Sequence, residues 1–292
     1  MAHDKHSGHA VSMLSSTLRC PRGTVDIARD FDPKATPGFP GHGKADIPKL
    51  YATLQPQLDD LQERLYAASR GGDAHAPSVL VVLQGMDTAG KGGIIRHVIG
   101  MVDPQGVHIH AFKAPTPQER AHDFLWRIRQ ALPQPGILGI FDRSHYEDVL
   151  IGRVDALASP DEIETRYTLI NEFERQLTDA GVRVVKCFLN VSKAEQRKRL
   201  MARLDDPSKY WKYNTGDLTT RAKWDDYMAA YGLALQRCNE DYAPWHVIPS
   251  DHKWYRNWAI AQILLETLDS MNLTWPPATF DVQAEQAKVR LS

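Results

Sequence analysis

Residues 78–93 read SVLVVLQGMDTAGKGG, and this stretch decides the fold. The run Ser78–Leu83 is apolar after its first residue, as expected of a strand buried on both faces. Gly85, four residues, Gly90 and Lys91 follow at once. Strand, glycine-rich turn, lysine and helix together make an anion site: successive N–H groups point inward and the helix start adds partial positive charge. Lys91 would sit as a point charge on bound phosphate. One part of the usual pattern is missing. Gly92 stands where Ser or Thr normally supplies a hydroxyl to the magnesium of a nucleoside triphosphate. An ordinary glycine-rich turn is the bland alternative, and the full spacing after an apolar strand argues against it.

Outward from this loop, four more segments carry strand character: 107–112 (VHIHAF), 137–141 (ILGIF), 182–189 (VRVVKCFL) and 245–249 (WHVIP). Helical periodicity lies between and around them, at about 47–68, 92–101, 118–132, 161–180, 193–204, 217–235 and 254–271. In the first of these, Leu50, Leu54, Leu58, Leu61 and Leu65 form the apolar stripe. Strands alternating with helices predict an α/β fold: a parallel sheet of about five strands, helices on both faces, right-handed crossovers. Trp224, Tyr227, Met228, Tyr231 and Leu235 form a stripe better suited to core than to a cofactor. His108 and His110 share one strand face, and packed histidines are the simpler reading than ligands.

Composition sets the limits. The chain has 292 residues, 42% hydrophobic, with net charge -1, so any basic site must come from local clustering. No apolar run approaches the ~20 residues of a membrane span, and the first residues lack the apolar core of a secretory signal. Cys20, Cys187 and Cys238 are far apart and odd in number, which points to reduced thiols and a cytoplasmic location and gives no zinc spacing. His3, His6 and His9 suit a solvated tail better than a metal site, since nothing fixes their geometry.

Two carboxylates are placed to hold a metal in place of the missing hydroxyl. Asp142 ends the third strand, at the carboxyl edge where open parallel sheets bind ligands. Asp87 lies inside the loop, where it would repel phosphate unless a shared magnesium compensates. Its alternative is a turn-stabilising side chain. Arg143 follows Asp142 directly and could clamp a phosphate. The segment 193–212 holds seven basic residues (Lys193, Arg197, Lys198, Arg199, Arg203, Lys209, Lys212) against Glu195, Asp205 and Asp206. Arg199 and Arg203 share a helix face. The run is either a solvated face or a mobile lid that closes over phosphates.

Taken together, GMDTAGKGG, FDRSHYEDVL (141–150), RLDDPSKYWK (203–212) with Asp217, Trp224 and Tyr227 downstream, APWHVIPSDHKWYRN (243–257), ERLYA (63–67) and DPQGVHIHAFKAPT (103–116) resemble the family-2 polyphosphate kinases. The resemblance spans about residues 40–275. It implies a three-layer P-loop kinase fold with a helical lid, which moves the terminal phosphoryl group of inorganic polyphosphate to or from a nucleotide. It implies domain limits of 46–275 with a lid at about 193–217 and a C-terminal tail at 276–292; residues 1–45, rich in Gly, Pro, His and Asp with little periodicity, read as an N-terminal extension, either a tail or one that hugs the surface.

The resemblance also implies roles. Asp87 and Asp142 hold magnesium or manganese. Asp87, Lys91, Asp142, Arg143 and Arg199 serve the transfer. Gly85, Ala89, Gly90, Lys91, Gly92, Gly93, Arg96, Arg203 and Lys212 face the polyphosphate chain. Lys113, Arg143 and Glu147 face the nucleotide. Members restricted to nucleoside diphosphates carry DRSWYNR, and AMP-accepting (class III) members carry NRSHYEDV. This chain reads DRSHYEDV, so Glu147 points to AMP acceptance, with ADP carried onward to ATP, while Asp142 departs from that subclass's Asn. A homo-oligomer, dimer or tetramer, is implied as well. Rival readings are an ATP-dependent nucleoside monophosphate kinase, against which Gly92 speaks, and a non-catalytic polyphosphate- or nucleotide-binding protein. One short basic helix in a near-neutral chain does not make a nucleic-acid surface.

Overall fold

The computed structural model describes residues 13–72 and 75–292, so His3, His6 and His9 lie outside the described residues. The five apolar segments form one sheet: β1 (Ser78–Gln84), β2 (Val107–Ala111), β3 (Leu138–Asp142), β4 (Val182–Asn190) and β5 (Trp245–Pro249). All neighbours pair in parallel, in the order β2-β3-β1-β4-β5. β1 sits centrally, which is why every one of its residues is buried. β2 is an edge strand, so His108 is exposed, and His110 packs tilted against Phe112 and edge-on to Phe141.

Two helical groups cover the sheet. In one, Ile47–Arg70, Lys91–His97 and Lys253–Asp269 pack together. In the other, Glu147–Val154 packs on Pro160–Asp179 and on Trp224–Arg237. The stripe Trp224, Tyr227, Tyr231 and Leu235 is core, as its spacing requires.

Three expected helices divide: 92–101 becomes Lys91–His97 and a 3-10 turn at Ile99–Met101, and two others part at a side-chain anchor. The 118–132 segment becomes Pro117–Arg120 and Trp126–Gln130, because Asp123 turns back to accept from the Leu125 N–H and from Arg129. The 217–235 segment becomes Gly216–Ala222 and Trp224–Arg237. Lys223 at the joint bonds Asp155, and Arg221 bonds the Lys193 carbonyl and Gln196. The first half thereby joins the 193–204 helix, and the second joins the core.

Residues 13–46 are a strap bound to the surface. Cys20 N–H donates to the Trp245 carbonyl and Val247 N–H to the Leu18 carbonyl, which covers the open edge of β5. Phe39 then seats edge-on against Trp254 and Trp258. The helix Val282–Leu291 buries none of its residues.

Candidate active site

The loop after β1 is held by its carbonyls. Lys91 Nζ donates to the Gly85 carbonyl at 2.9 Å. Gln196 Nε2 reaches the Asp87 carbonyl at 3.0 Å, and Arg199 Nη1 reaches those of Thr88 and Ala89, both at 3.0 Å. Arg256 Nη1 also reaches the Ala89 carbonyl, at 2.9 Å. With these oxygens engaged from outside, the amides of Thr88, Gly90, Lys91 and Gly92 find no protein acceptor among the described residues. That is the polarity of an anion cradle. Thr88 takes a left-handed φ of 64°, and its buried hydroxyl has no partner. A side chain at Gly92 would meet nothing within 4 Å, so packing does not explain the missing hydroxyl.

Asp142 ends β3 in register with Leu83, which puts it at the tip beside the loop. Its carboxylate accepts no hydrogen bond and makes no salt bridge among the described residues, and it adds to the negative field on Arg143. Arg143 then turns sharply, with φ 65° and its N–H on the Leu83 carbonyl. Such strain in a non-glycine residue persists where surroundings enforce it. Here Arg143 Nη2 binds Asp87 Oδ1 at 2.9 Å, and Nη1 stands 3.7 Å from Glu147 Oε2. Burial pulls the Arg143 pKa down, but Glu147 and Asp87 outweigh it and the net shift is upward. Burial raises Glu147 above the usual carboxylate range, with Arg143 and Lys91 opposing incompletely.

A charged network stands behind this segment. Glu174 accepts from Lys186 and from the Tyr146 hydroxyl (2.7 Å), and His145 Nε2 lies 3.2 Å away. Lys186 also donates to the Tyr146 hydroxyl and to the Cys238 carbonyl. Burial would raise Glu174, but Lys186 and His145 more than offset it and hold the carboxyl below its ordinary range. His145 and Tyr146 lie between Arg143 and Glu147 in sequence, so this network fixes the segment from within.

The basic segment forms the helix Lys193–Leu204, capped by Ser192, whose N–H and hydroxyl both donate to Asp251. Arg199 departs from the sequence expectation. Its donors go to Glu195, the Thr88 and Ala89 carbonyls, and the Ser250 and Asp251 carbonyls. All five N–H groups are used, so Arg199 holds the loop from behind and is no free cation over it. Arg203 bonds the Lys212 carbonyl and Asp217. Lys212 is exposed and lies over the Trp211 ring. Asp217 is raised by burial first and by Asp87 second, so this part of the lid faces the loop acid.

Asp87, Lys91, Asp142, Arg143 and Glu147 thus converge, as the sequence led us to expect. Two residues stand apart. Arg96 is exposed in the last turn of the Lys91–His97 helix, and Lys113 is exposed beyond the end of β2. Arg256, Gln196 and the Glu174–Lys186 pair went unrecognised as parts of the site, and Asp217 was singled out only as part of a motif. A lysine amid the apolar run of β4 was the one signal for the Glu174–Lys186 pair. For a metal, the donors here are hard oxygens: the free carboxylate of Asp142 and the second oxygen of Asp87. No cluster of three acidic, His or Cys side chains occurs among the described residues, so a cation would need phosphate oxygens and water to complete its shell. That suits magnesium, which keeps such ligands.

Residues 49–276 match the family model described as Polyphosphate kinase 2. An AMP/ADP-polyphosphate phosphotransferase of Meiothermus ruber is 47% identical over 256 residues, 88% of this chain and 93% of that protein. An ADP-polyphosphate phosphotransferase of Rhodopseudomonas palustris is 41% identical over 271 residues, 87% of this chain and 89% of that one. The crystal structure of polyphosphate kinase 2 from Arthrobacter aurescens superposes with a TM-score of 0.91 at 51% identity, covering 97% of this chain and 98% of the other. With the cradle, the paired acids and the parallel sheet already in view, these likenesses leave one conclusion: the chain belongs to the polyphosphate kinase 2 family and has its P-loop kinase fold.

Proposed function

We propose that this protein transfers the terminal phosphoryl group of inorganic polyphosphate to AMP, and on from ADP to ATP, reversibly and with no covalent enzyme intermediate. The observation that carries the reading is the loop itself: inward amides, Lys91 and open space at Gly92 in place of a metal-binding hydroxyl. Such a loop suits a polyanion chain gripped by its backbone better than the triphosphate of ATP. The likeness to relatives named for polyphosphate, AMP and ADP supports it.

In this reading the amides of Gly90, Lys91 and Gly92 and the Lys91 ammonium bind the chain. Arg143 steers the accepting phosphate while tied to Asp87, and Glu147 sits where it can select the nucleotide. Asp87 and Asp142 would hold magnesium, or manganese, which supplies charge neutralisation when bound. The protein's own contribution is positioning and fixed positive charge, which is most of what phosphoryl transfer requires. Arg203 and Lys212 line the lid side, and Arg199 supports from behind. Buried free thiols at Cys20, Cys187 and Cys238 accord with a cytoplasmic location, and no helix among the described residues is long and apolar enough to cross a membrane. We assign no nucleic-acid partner and expect a homo-oligomer.

The test is Asp142→Ala and Asp87→Asn in saturating magnesium. Each nearly abolishes turnover if these carboxylates hold the metal, and wild-type rates in either would end the assignment.

A further inference from the structure

Behind the cradle stands Arg256, in the first turn of the helix Lys253–Asp269 and almost fully buried. Its Nη1 donates to the Ala89 carbonyl at 2.9 Å, and its Nε and Nη2 are held by Asn257 Oδ1 at 3.2 and 2.8 Å. The guanidinium lies in a notch made by two glycines. A Cβ on Gly90 would stand 1.6 Å from Nη1, and one on Gly93 would stand 2.7 Å from Nη2. Gly90 has a φ of 123°, so the turn and the notch make the same demand for glycine.

Arg256 is costly where it sits. Burial, with Arg199 close by, pulls its pKa down to about 9, and it still carries charge at neutral pH. An apolar side chain of similar volume would fill the space at less cost. What an apolar residue cannot do is hold a carbonyl. With Arg199 and Arg256 both on Ala89, the dipole of the next peptide is fixed, and the N–H of Gly90 must point the opposite way, into the cradle.

We propose that Arg256 is a positioning residue for phosphoryl transfer: it fixes the Ala89–Gly90 peptide, and with it the amides of Gly90, Lys91 and Gly92, toward the phosphate. It acts through the loop and touches no substrate. The inference rests on the reading that this loop holds the phosphate chain.

The experiment compares wild type, Arg256→Ala and Arg256→Lys for turnover of AMP or ADP with polyphosphate, with melting followed in parallel. Arg256→Ala lowers kcat roughly ten- to hundredfold, the scale of loss expected from an ångström of misplacement. Millimolar guanidinium chloride restores part of that turnover, methylammonium does not, and neither raises the wild-type rate. Arg256→Lys keeps charge and length but lacks the fork. It melts well above the assay temperature and still loses kcat about fivefold or more. It carries the test if the alanine variant does not fold. Wild-type kcat in either folded variant overturns the proposal, as does a folded alanine variant with reduced kcat that guanidinium leaves unchanged. A wild-type protein idle with polyphosphate but active with ATP would remove the donor reading instead, and Arg256 would then be judged on the ATP rate.

Discussion

Lys186→Met removes one end of the buried pair behind Arg143–Glu147. Both partners are almost wholly excluded from water, so Glu174 would be left as a buried carboxylate with only His145 and the Tyr146 hydroxyl near it. Breaking such a pair by removing one partner costs about 3–5 kcal/mol. In a chain of 292 residues that is roughly 5–8 °C of melting temperature. The pH dependence gives the argument its sign. In the wild type Glu174 lies below its ordinary value, so its stabilisation is present above pH ~4.5 and lost as pH falls through the folded value. In Lys186→Met burial acts almost unopposed and lifts the carboxyl above its unfolded value. The variant is then relatively better off near pH 5 than at pH 8, because protonation relieves the unpaired charge. Adding Glu174→Gln recovers most of the loss. Thermal melts of the wild type, both single variants and the double at pH 5, 7 and 8, with turnover at 25 °C, read all of this. Lys186→Met within about 1 kcal/mol of wild type at pH 7, or a double variant no better than Lys186→Met, would refute the reasoning.

Two further outcomes follow from the same chemistry. Glu147→Asn depresses AMP use relative to ADP use, and an unaltered ratio in initial rates removes Glu147 as selector. His246, held neutral by burial at about 4 against an ordinary 6.5, takes no proton in the native state where the unfolded chain does. Stability therefore falls as pH drops from 6.5 toward 4, by roughly 3 kcal/mol from this group. Urea titrations show a flatter acid limb for His246→Asn, and an unchanged limb contradicts the assignment.

Much of this molecule was legible in its sequence, for a local reason. Four of the five strands stand where a strand-like run meets glycine, and β5 stands between Pro244 and Ser250-Asp251; Gly85, Gly90 and Lys91 declare the cradle because backbone conformation and charge are local properties. Asp87, Asp142, Arg143 and Glu147 could be placed because each sits within a few residues of a strand tip. Long-range pairing is where legibility ended. Nothing near Arg199 reveals that its donors would be spent on Thr88, Ala89, Ser250 and Asp251, so a basic helical residue was read as a lid cation. Arg256 looks like an ordinary helix residue until the fold brings it to Gly90, 166 positions earlier in the chain. The breaks at Asp123 and Lys223 were hidden because periodicity runs straight through them, while the side-chain bonds that stop each helix are visible only in three dimensions.

The most direct measurement mixes purified protein with AMP, long-chain polyphosphate and magnesium, leaves out ATP, and follows nucleotides by ion-exchange chromatography. The account predicts ADP first and then ATP. ATP from added ADP but nothing from AMP would keep polyphosphate as donor and discard AMP acceptance. No product from either acceptor until ATP is supplied as donor would contradict the central claim.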